Sequence, residues 1–259
     1  MAVLNFSGYI FDLDGTIYRG EKLIPGAREA IEKLKSLQKK IVYLSNKPLQ
    51  TREDYATKLT RLGIPTDPAE VINSSFVMAK WLSRQAPGAA IYVVGEPPLI
   101  EEMIREGFRI TEKPEEIQYV IASFDRTFDY KKLDISLQAI KRGAHFVATN
   151  PDRTCPVEGG EIPDCAAMIG AIEGATGKRV ETIVGKPFDI MLEVTAEALG
   201  LKPENCLLVG DRLETDIVMG KKAGMTTALV LTGVTTPETL LHSGIKPDFV
   251  WASVAEMIK

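Results

Sequence analysis

The sequence predicts an α/β protein built on a doubly wound, mainly parallel sheet. Short apolar runs of β type recur along the chain, amphipathic helical stretches separate them, and one such alternation is interrupted by a second. Alternation of this kind buries a parallel sheet between helices. With 259 residues and 45% hydrophobic content, the chain exceeds the common domain size, so two domains are expected.

Tyr9-Ile10-Phe11 is the first strand. Pro25 opens a helix in which Ala27, Ala30, Ile31, Leu34 and Leu37 repeat at helical spacing, and Ile41-Val42-Tyr43-Leu44 is the next strand. Ser45-Asn46-Lys47-Pro48 breaks it. Thr51 with Asp54 resembles a capping box for a helix through Tyr55, Leu59 and Leu62 that Gly63 can end. From about Arg84 to Arg179 a second α/β pattern runs, with strands Ile91-Tyr92-Val93-Val94, Tyr119-Val120-Ile121-Ala122 and His145-Phe146-Val147-Ala148. The first pattern resumes at Glu181-Thr182-Ile183-Val184 and continues through Cys206-Leu207-Leu208-Val209, Thr227-Ala228-Leu229-Val230 and Asp248-Phe249-Val250-Trp251. One domain is therefore expected inside another, with residues 1–83 and 180–259 forming the core and 84–179 the insertion. Gln85-Ala86-Pro87-Gly88 and Gly177-Lys178 suit hinge-like connections.

Composition excludes several classes. The net charge of -4 comes from interleaved acids and bases with no basic run, which argues against a nucleic acid or an anionic membrane as partner. The segment beginning Met1-Ala2-Val3 lacks a basic stretch, and no window is long and apolar enough to span a bilayer. Cys155, Cys165 and Cys206 are odd in number and lack zinc-type spacing, so free thiols in a reducing compartment and a cytoplasmic location are expected. The sequence leaves the oligomeric state open, a homodimer included.

The chemistry gathers at strand ends. In Asp12-Leu13-Asp14-Gly15, two carboxylates one residue apart point into the same crevice because Leu13 faces the other way. At roughly 4 Å and an effective dielectric of about 20 their repulsion is about 4 kcal/mol, so the pair calls for a cation or a shared proton. Taken alone, these four residues would also suit a solvated turn. A calcium loop of the EF-hand type fits poorly, since acids are missing at its later positions and a strand precedes it. Ser45 and Asn46 follow the second strand, Lys186 follows Ile183-Val184-Gly185, and Asp211 and Asp216 follow Leu207-Leu208-Val209-Gly210. Singly, each has an ordinary reading as turn former, solvated lysine or helix-start acid. In open α/β sheets, however, the ligand crevice lies outside the carboxyl ends of the strands, where all of these can converge.

This arrangement resembles the haloacid dehalogenase-like superfamily of phosphoryl-transfer enzymes. Its four motifs are matched by Asp12-Leu13-Asp14-Gly15-Thr16, by Ser45 at a strand end, by Lys186, and by Gly210-Asp211 with Asp216 beyond a four-residue spacer. The resemblance covers the whole chain and implies a Rossmann-like core with a smaller α/β cap inserted between Asn46 and Lys186, because the first two motifs lie too close together to hold one. Together with Ser45-Asn46, Val184-Gly185-Lys186-Pro187 and Thr149-Asn150-Pro151-Asp152, it is similar to the NagD-like branch, which includes 4-nitrophenyl phosphatases, nucleotide monophosphatases and phosphoglycolate phosphatases.

The resemblance implies a magnesium-dependent phosphatase acting on a small phosphorylated metabolite. Asp12 is the implied nucleophile, forming a phosphoaspartyl intermediate, and Asp14 the acid that protonates the leaving oxygen and then activates water. Mg2+ is implied at the Asp12 carboxylate, the Asp14 main-chain carbonyl and Asp211, with Asp216 orienting that shell. Lys186 neutralises phosphoryl oxygens and restrains Asp12, while Ser45 and the Asn46 backbone donate hydrogen bonds to those oxygens. The acid at Asp14 separates this chain from the superfamily's dehalogenases and transport ATPases. Leaving-group contacts are expected from Thr149–Pro156 and the following Val157-Glu158-Gly159-Gly160, with Asp152 and Thr154 as candidates. Two rivals stand beside this reading: a phosphoacceptor signalling module, which is commonly about 100 to 150 residues in one domain, and a phosphate-ester-binding protein without turnover.

Overall fold

A computed structural model describes residues 3–157 and 159–258. Met1, Ala2 and Glu158, which figured in the expectations above, lie outside the described residues. The strands, numbered along the chain, are β1 (Gly8–Asp12), β2 (Tyr18–Arg19), β3 (Lys22–Leu23), β4 (Lys40–Ser45), β5 (Val71–Asn73), β6 (Ala90–Val94), β7 (Arg109–Ile110), β8 (Tyr119–Ala122), β9 (His145–Ala148), β10 (Thr154–Val157), β11 (Gly160–Pro163), β12 (Thr182–Ile183), β13 (Cys206–Gly210), β14 (Thr226–Val230) and β15 (Phe249–Trp251). The chain divides into two compact units. One takes the described residues of Met1–Ser45, Arg52–Ile72 and Lys186–Lys259, the other Asn46–Thr51 and Asn73–Gly185.

The first unit is organised by a six-stranded sheet in the order β15-β14-β13-β1-β4-β5. Its centre is parallel: β1 pairs with β4 on one side and β13 on the other, β13 with β14, and β14 with β15. The strands that follow β1 in sequence lie on one side and those near the chain's end on the other, so the topology reverses beside β1. A crevice opens at such a reversal, at the carboxyl ends. Alternate residues Tyr9, Phe11, Ile41, Tyr43, Leu207, Val209, Ala228 and Val230 share one core cluster with Ala27, Ala30, Ile31 and Leu34 of the helix Ala27–Ser36. The residues between them, Ile10, Val42, Leu44, Leu208 and Leu229, are buried too. Burial of both faces explains why these strands read as unbroken apolar runs.

Local details differ from the sequence expectation at that helix. Gly26, at φ 85°, occupies the position before its first residue, so Pro25 precedes the start instead of forming it. Leu37 lies just past the helix end and is exposed. The next helix spans Arg52–Arg61 and buries Tyr55, Ala56 and Leu59.

The second unit has its own sheet, ordered β12-β9-β8-β6-β7, and its own core. Tyr92, Val94, Val120, Ala122, Phe146 and Ala148 pack with Ile135, Ala139, Ile140, Met168, Ile169 and Ile172 of the helices Tyr130–Lys141 and Cys165–Thr176. Here the expected resumption of the core at Glu181 is corrected. Thr182 and Ile183 pair with Val147 and Ala148 of β9, so that strand closes the second unit's sheet. This unit also starts before residue 84, with the helix Ser74–Gln85 packed on the helix Pro97–Arg105. The stretch expected to supply leaving-group contacts after Asp152 is not a plain loop but an antiparallel hairpin, with Thr154 opposite Pro163 and Val157 opposite Gly160. No helix among the described residues is long and apolar enough to cross a membrane.

Candidate active site

The carboxyl ends of β1, β13 and β14 lie side by side in the first unit, and acids cluster there. Asp12 is the last residue of β1, and Leu13 behind it is 1% exposed, which turns the aspartate outward from the core. Asp211 follows β13 directly. Asp216 sits in a π-helical turn, Leu213–Ile217, that leads into the helix Val218–Ala223. Such wide turns re-aim one side chain without breaking the element. Oxygens of Asp12, Asp211 and Asp216 all lie within 4.8 Å of one another.

Lys186 ties two of these acids together. Its Nζ donates to Asp12 Oδ1 at 2.5 Å and to Asp216 Oδ1 at 2.7 Å, and the residue is buried. Asp216 Oδ2 accepts from the Arg212 amide at 3.1 Å. Burial alone would lower the lysine, but the Asp12 and Asp216 charges and hydrogen bonds hold it above its ordinary value. Asp12 is pushed well up by burial and by Asp216 and Asp211, with Lys186 opposing. Burial and Asp216 push Asp211 up to about 6, against the amide of Val234.

Three carboxylates outnumber the one ammonium, and even with the Arg212 guanidinium acting on Asp211 the cluster is net negative when all are ionised. That surplus, carried by hard oxygen donors at close range, is the donor set a divalent cation of the magnesium type requires. The crevice is also shaped for close approach. Gly15, at φ 92°, has no room for a β-carbon, which would sit 2.7 Å from Asp211 Oδ2. At Gly233 a β-carbon would run into the same carboxylate.

Asp14 is half-buried beyond Leu13 and forms a bridge to Tyr18. Ser45, at the end of β4, is buried with its hydroxyl 3.4 Å from the Tyr55 hydroxyl. The first unit thus contains Asp12, Asp14, Ser45, Lys186, Asp211 and Asp216.

Asn46, Asp152 and Thr154 belong to the second unit. The Asn46 side-chain amide donates to Asp152 Oδ2 at 3.0 Å, and its carbonyl accepts from Ser74 Oγ at 2.6 Å. Asp152 Oδ2 also accepts from Asn150, whose amide donates to Asp164 Oδ1 as well. Thr154 Oγ1 donates to Glu161 Oε2 at 2.7 Å across the hairpin. The three cysteines are free and buried.

One contributor escaped the sequence reading: the segment Thr232-Gly233-Val234-Thr235 after β14. The Val234 amide donates to Asp211 Oδ2 at 2.6 Å, and Thr232 Oγ1 donates to the Gly15 carbonyl at 2.6 Å. The signal was present, since these residues follow an apolar strand as Asp12, Ser45 and Asp211 do.

Comparison with known proteins gives the family of the chain. Residues 9–109 match the model of the haloacid dehalogenase-like hydrolases, and residues 183–257 a second, HAD-hydrolase-like model. The sugar-phosphatase AraL of Bacillus subtilis is 40% identical over 98% of this chain and 92% of its own. The p-nitrophenyl phosphatase of Archaeoglobus fulgidus superposes with a TM-score of 0.93 at 34% identity, covering 98% of both chains. NagD of E. coli superposes with a TM-score of 0.89 at 31% identity, covering 97% of this chain and 98% of its own.

Proposed function

Because the chain belongs to the haloacid dehalogenase-like hydrolases, in the NagD-like phosphatase branch, we propose that it is a magnesium-dependent phosphatase of small phosphate monoesters such as sugar phosphates, phosphoglycolate, nucleoside monophosphates and 4-nitrophenyl phosphate. The observation that carries this reading is the charge surplus around Asp12. One lysine restrains a nucleophile-grade carboxylate, and two further acids stand within 4.8 Å of it.

Phosphate monoesters resist hydrolysis, so the site must supply a positioned nucleophile, neutralise charge and protonate the leaving oxygen. In this reading Asp12 Oδ2 attacks phosphorus in line while Oδ1 stays on Lys186. Asp14 delivers a proton to the departing oxygen and afterwards takes one from the water that opens the phosphoaspartate. Lys186 neutralises phosphoryl oxygens, with Asp216 fixing its ammonium. Ser45 Oγ and the Asn46 main-chain N–H are assigned as donors to those oxygens. Mg2+ held by the Asp12 carboxylate, the Asp14 carbonyl and Asp211 would supply charge neutralisation on the transferred group. Leaving-group preference is assigned to the second unit, with Asp152 and Thr154 as its contacts.

The test is phosphate release from a panel of these esters with magnesium present. The wild-type chain is expected to hydrolyse at least one, and Asp12→Asn to lose about 10⁴-fold or more in kcat while retaining its circular dichroism spectrum. Parent-like turnover in that variant removes the nucleophile assignment. No phosphate from any ester moves the reading to binding without turnover.

A further inference from the structure

We propose that the segment after β14 positions the cation cradle, and that Thr232 is the residue that sets the direction of the Asp14 carbonyl within it; this rests on the metal reading of Asp14 and Asp211 given above. Asp211 itself and the Gly15 carbonyl, next to Asp14 in the chain, are fastened to this one segment. On one side the Val234 amide donates to Asp211 Oδ2 at 2.6 Å and the Thr235 amide to the Asp211 carbonyl at 3.1 Å. On the other side Thr232 Oγ1 donates to the Gly15 carbonyl at 2.6 Å. The Arg19 guanidinium donates to the Thr232 carbonyl and holds the segment from outside.

The consequence for Asp14 follows from peptide planarity. The Asp14 carbonyl and the Gly15 amide belong to one rigid plane. That amide donates to the Tyr18 carbonyl at 2.7 Å, which fixes the plane from one edge. Thr232 fixes the oxygen of the next plane. Gly15, at φ 92°, is the pivot between the two planes and would otherwise move freely. The hydroxyl of Thr232 therefore restrains the direction of the Asp14 carbonyl, while its neighbours restrain Asp211. Thr232 is assigned no contact with phosphate in this scheme, so it is a positioning residue.

Titration calorimetry with MgCl2 on the full chain tests this. Thr232→Val keeps the shape and removes the donor, and it is expected to weaken magnesium binding about tenfold, with kcat recovering at saturating magnesium. Thr232→Ser keeps the donor and is expected to bind magnesium like the parent. A merely structural role would lower the melting temperature in EDTA without moving magnesium affinity. If Thr232→Val does not fold, Thr232→Ala carries the same measurement. Parent-like magnesium affinity in the donor-less variant, with affinity lost in Asp211→Ala, overturns the role of Thr232 and keeps the metal reading. No magnesium binding by the parent chain overturns both.

Discussion

In the first unit three buried or half-buried aspartates, Asp12, Asp211 and Asp216, stand around the single ammonium of Lys186, whereas in the second unit buried Asp125 faces Lys132 at 2.5 Å one to one. Asp125 also accepts from the Thr127 amide and hydroxyl. Asp152 and Asp164 of the same unit accept from the amides of Asn46, Asn150 and Cys165. The residue type is shared, but the compensation differs. Acids met by neutral donors or by their own cation are held in place by those partners, while acids left with surplus charge are the ones proposed to bind an ion and react.

The sharpest way to break this contrast is to remove each lysine. Lys186→Met is expected to lower turnover of 4-nitrophenyl phosphate by about 10³-fold in steady-state assays. Lys132→Met is expected to cost about 1–3 kcal/mol in urea unfolding, with kcat per folded molecule retained. Equal loss of turnover in both variants would erase the distinction between the two kinds of cluster.

A smaller effect is expected within the second unit's amide network. Asp152→Ala leaves the Asn46 and Asn150 amides without this acceptor, which should lower stability by about 1–3 kcal/mol in the same urea assay. An unchanged midpoint would mean that water replaces the carboxylate at no cost.

The mildest effect is a pH dependence. Asp211 keeps its proton to about pH 6 in the folded chain, against an ordinary value of 3.8. Between these values the native state binds more protons than the unfolded chain, so this group's contribution to stability falls as the pH rises through that window. A cation needs the ionised carboxylate. Magnesium should therefore raise Tm by a few degrees more at pH 7.5 than at pH 5 in a scanning experiment. Identical shifts at both values would show that Asp211 titrates normally.

How much of this was legible in the sequence follows from the physics of strand ends. Asp12, Lys186, Asp211 and Asp216 could be grouped because each follows an apolar run, and parallel strands deliver such residues to one edge. What could not be read was the membership of short elements. Thr182–Ile183 offers only two residues, too few for periodicity to say which sheet it joins. Asn46 follows β4 like Ser45, yet its side chain turns to Asp152, a partner far away in sequence that no spacing rule identifies. The hairpin after Asp152 was hidden because Pro156 and Pro163 read as breakers, although proline is tolerated in short edge strands. The role of Thr232 is not legible because its hydroxyl serves the Gly15 carbonyl, a partner far away in sequence that no spacing rule identifies.

The central place of β1 has a bearing on how the chain is made. Its neighbour β13 begins at Cys206, so one edge of the first strand waits for a partner that lies far along the chain, beyond the whole second unit. The sheet of the second unit, by contrast, draws all its strands from the contiguous stretch between Ala90 and Ile183 and can close earlier. Asp12 precedes the second unit in the chain, whereas Lys186, Asp211 and Asp216 follow it. A nascent chain that stops short of β13 therefore carries no assembled acid cluster, and the proposed cation site closes only once Lys186, Asp211 and Asp216 have joined Asp12.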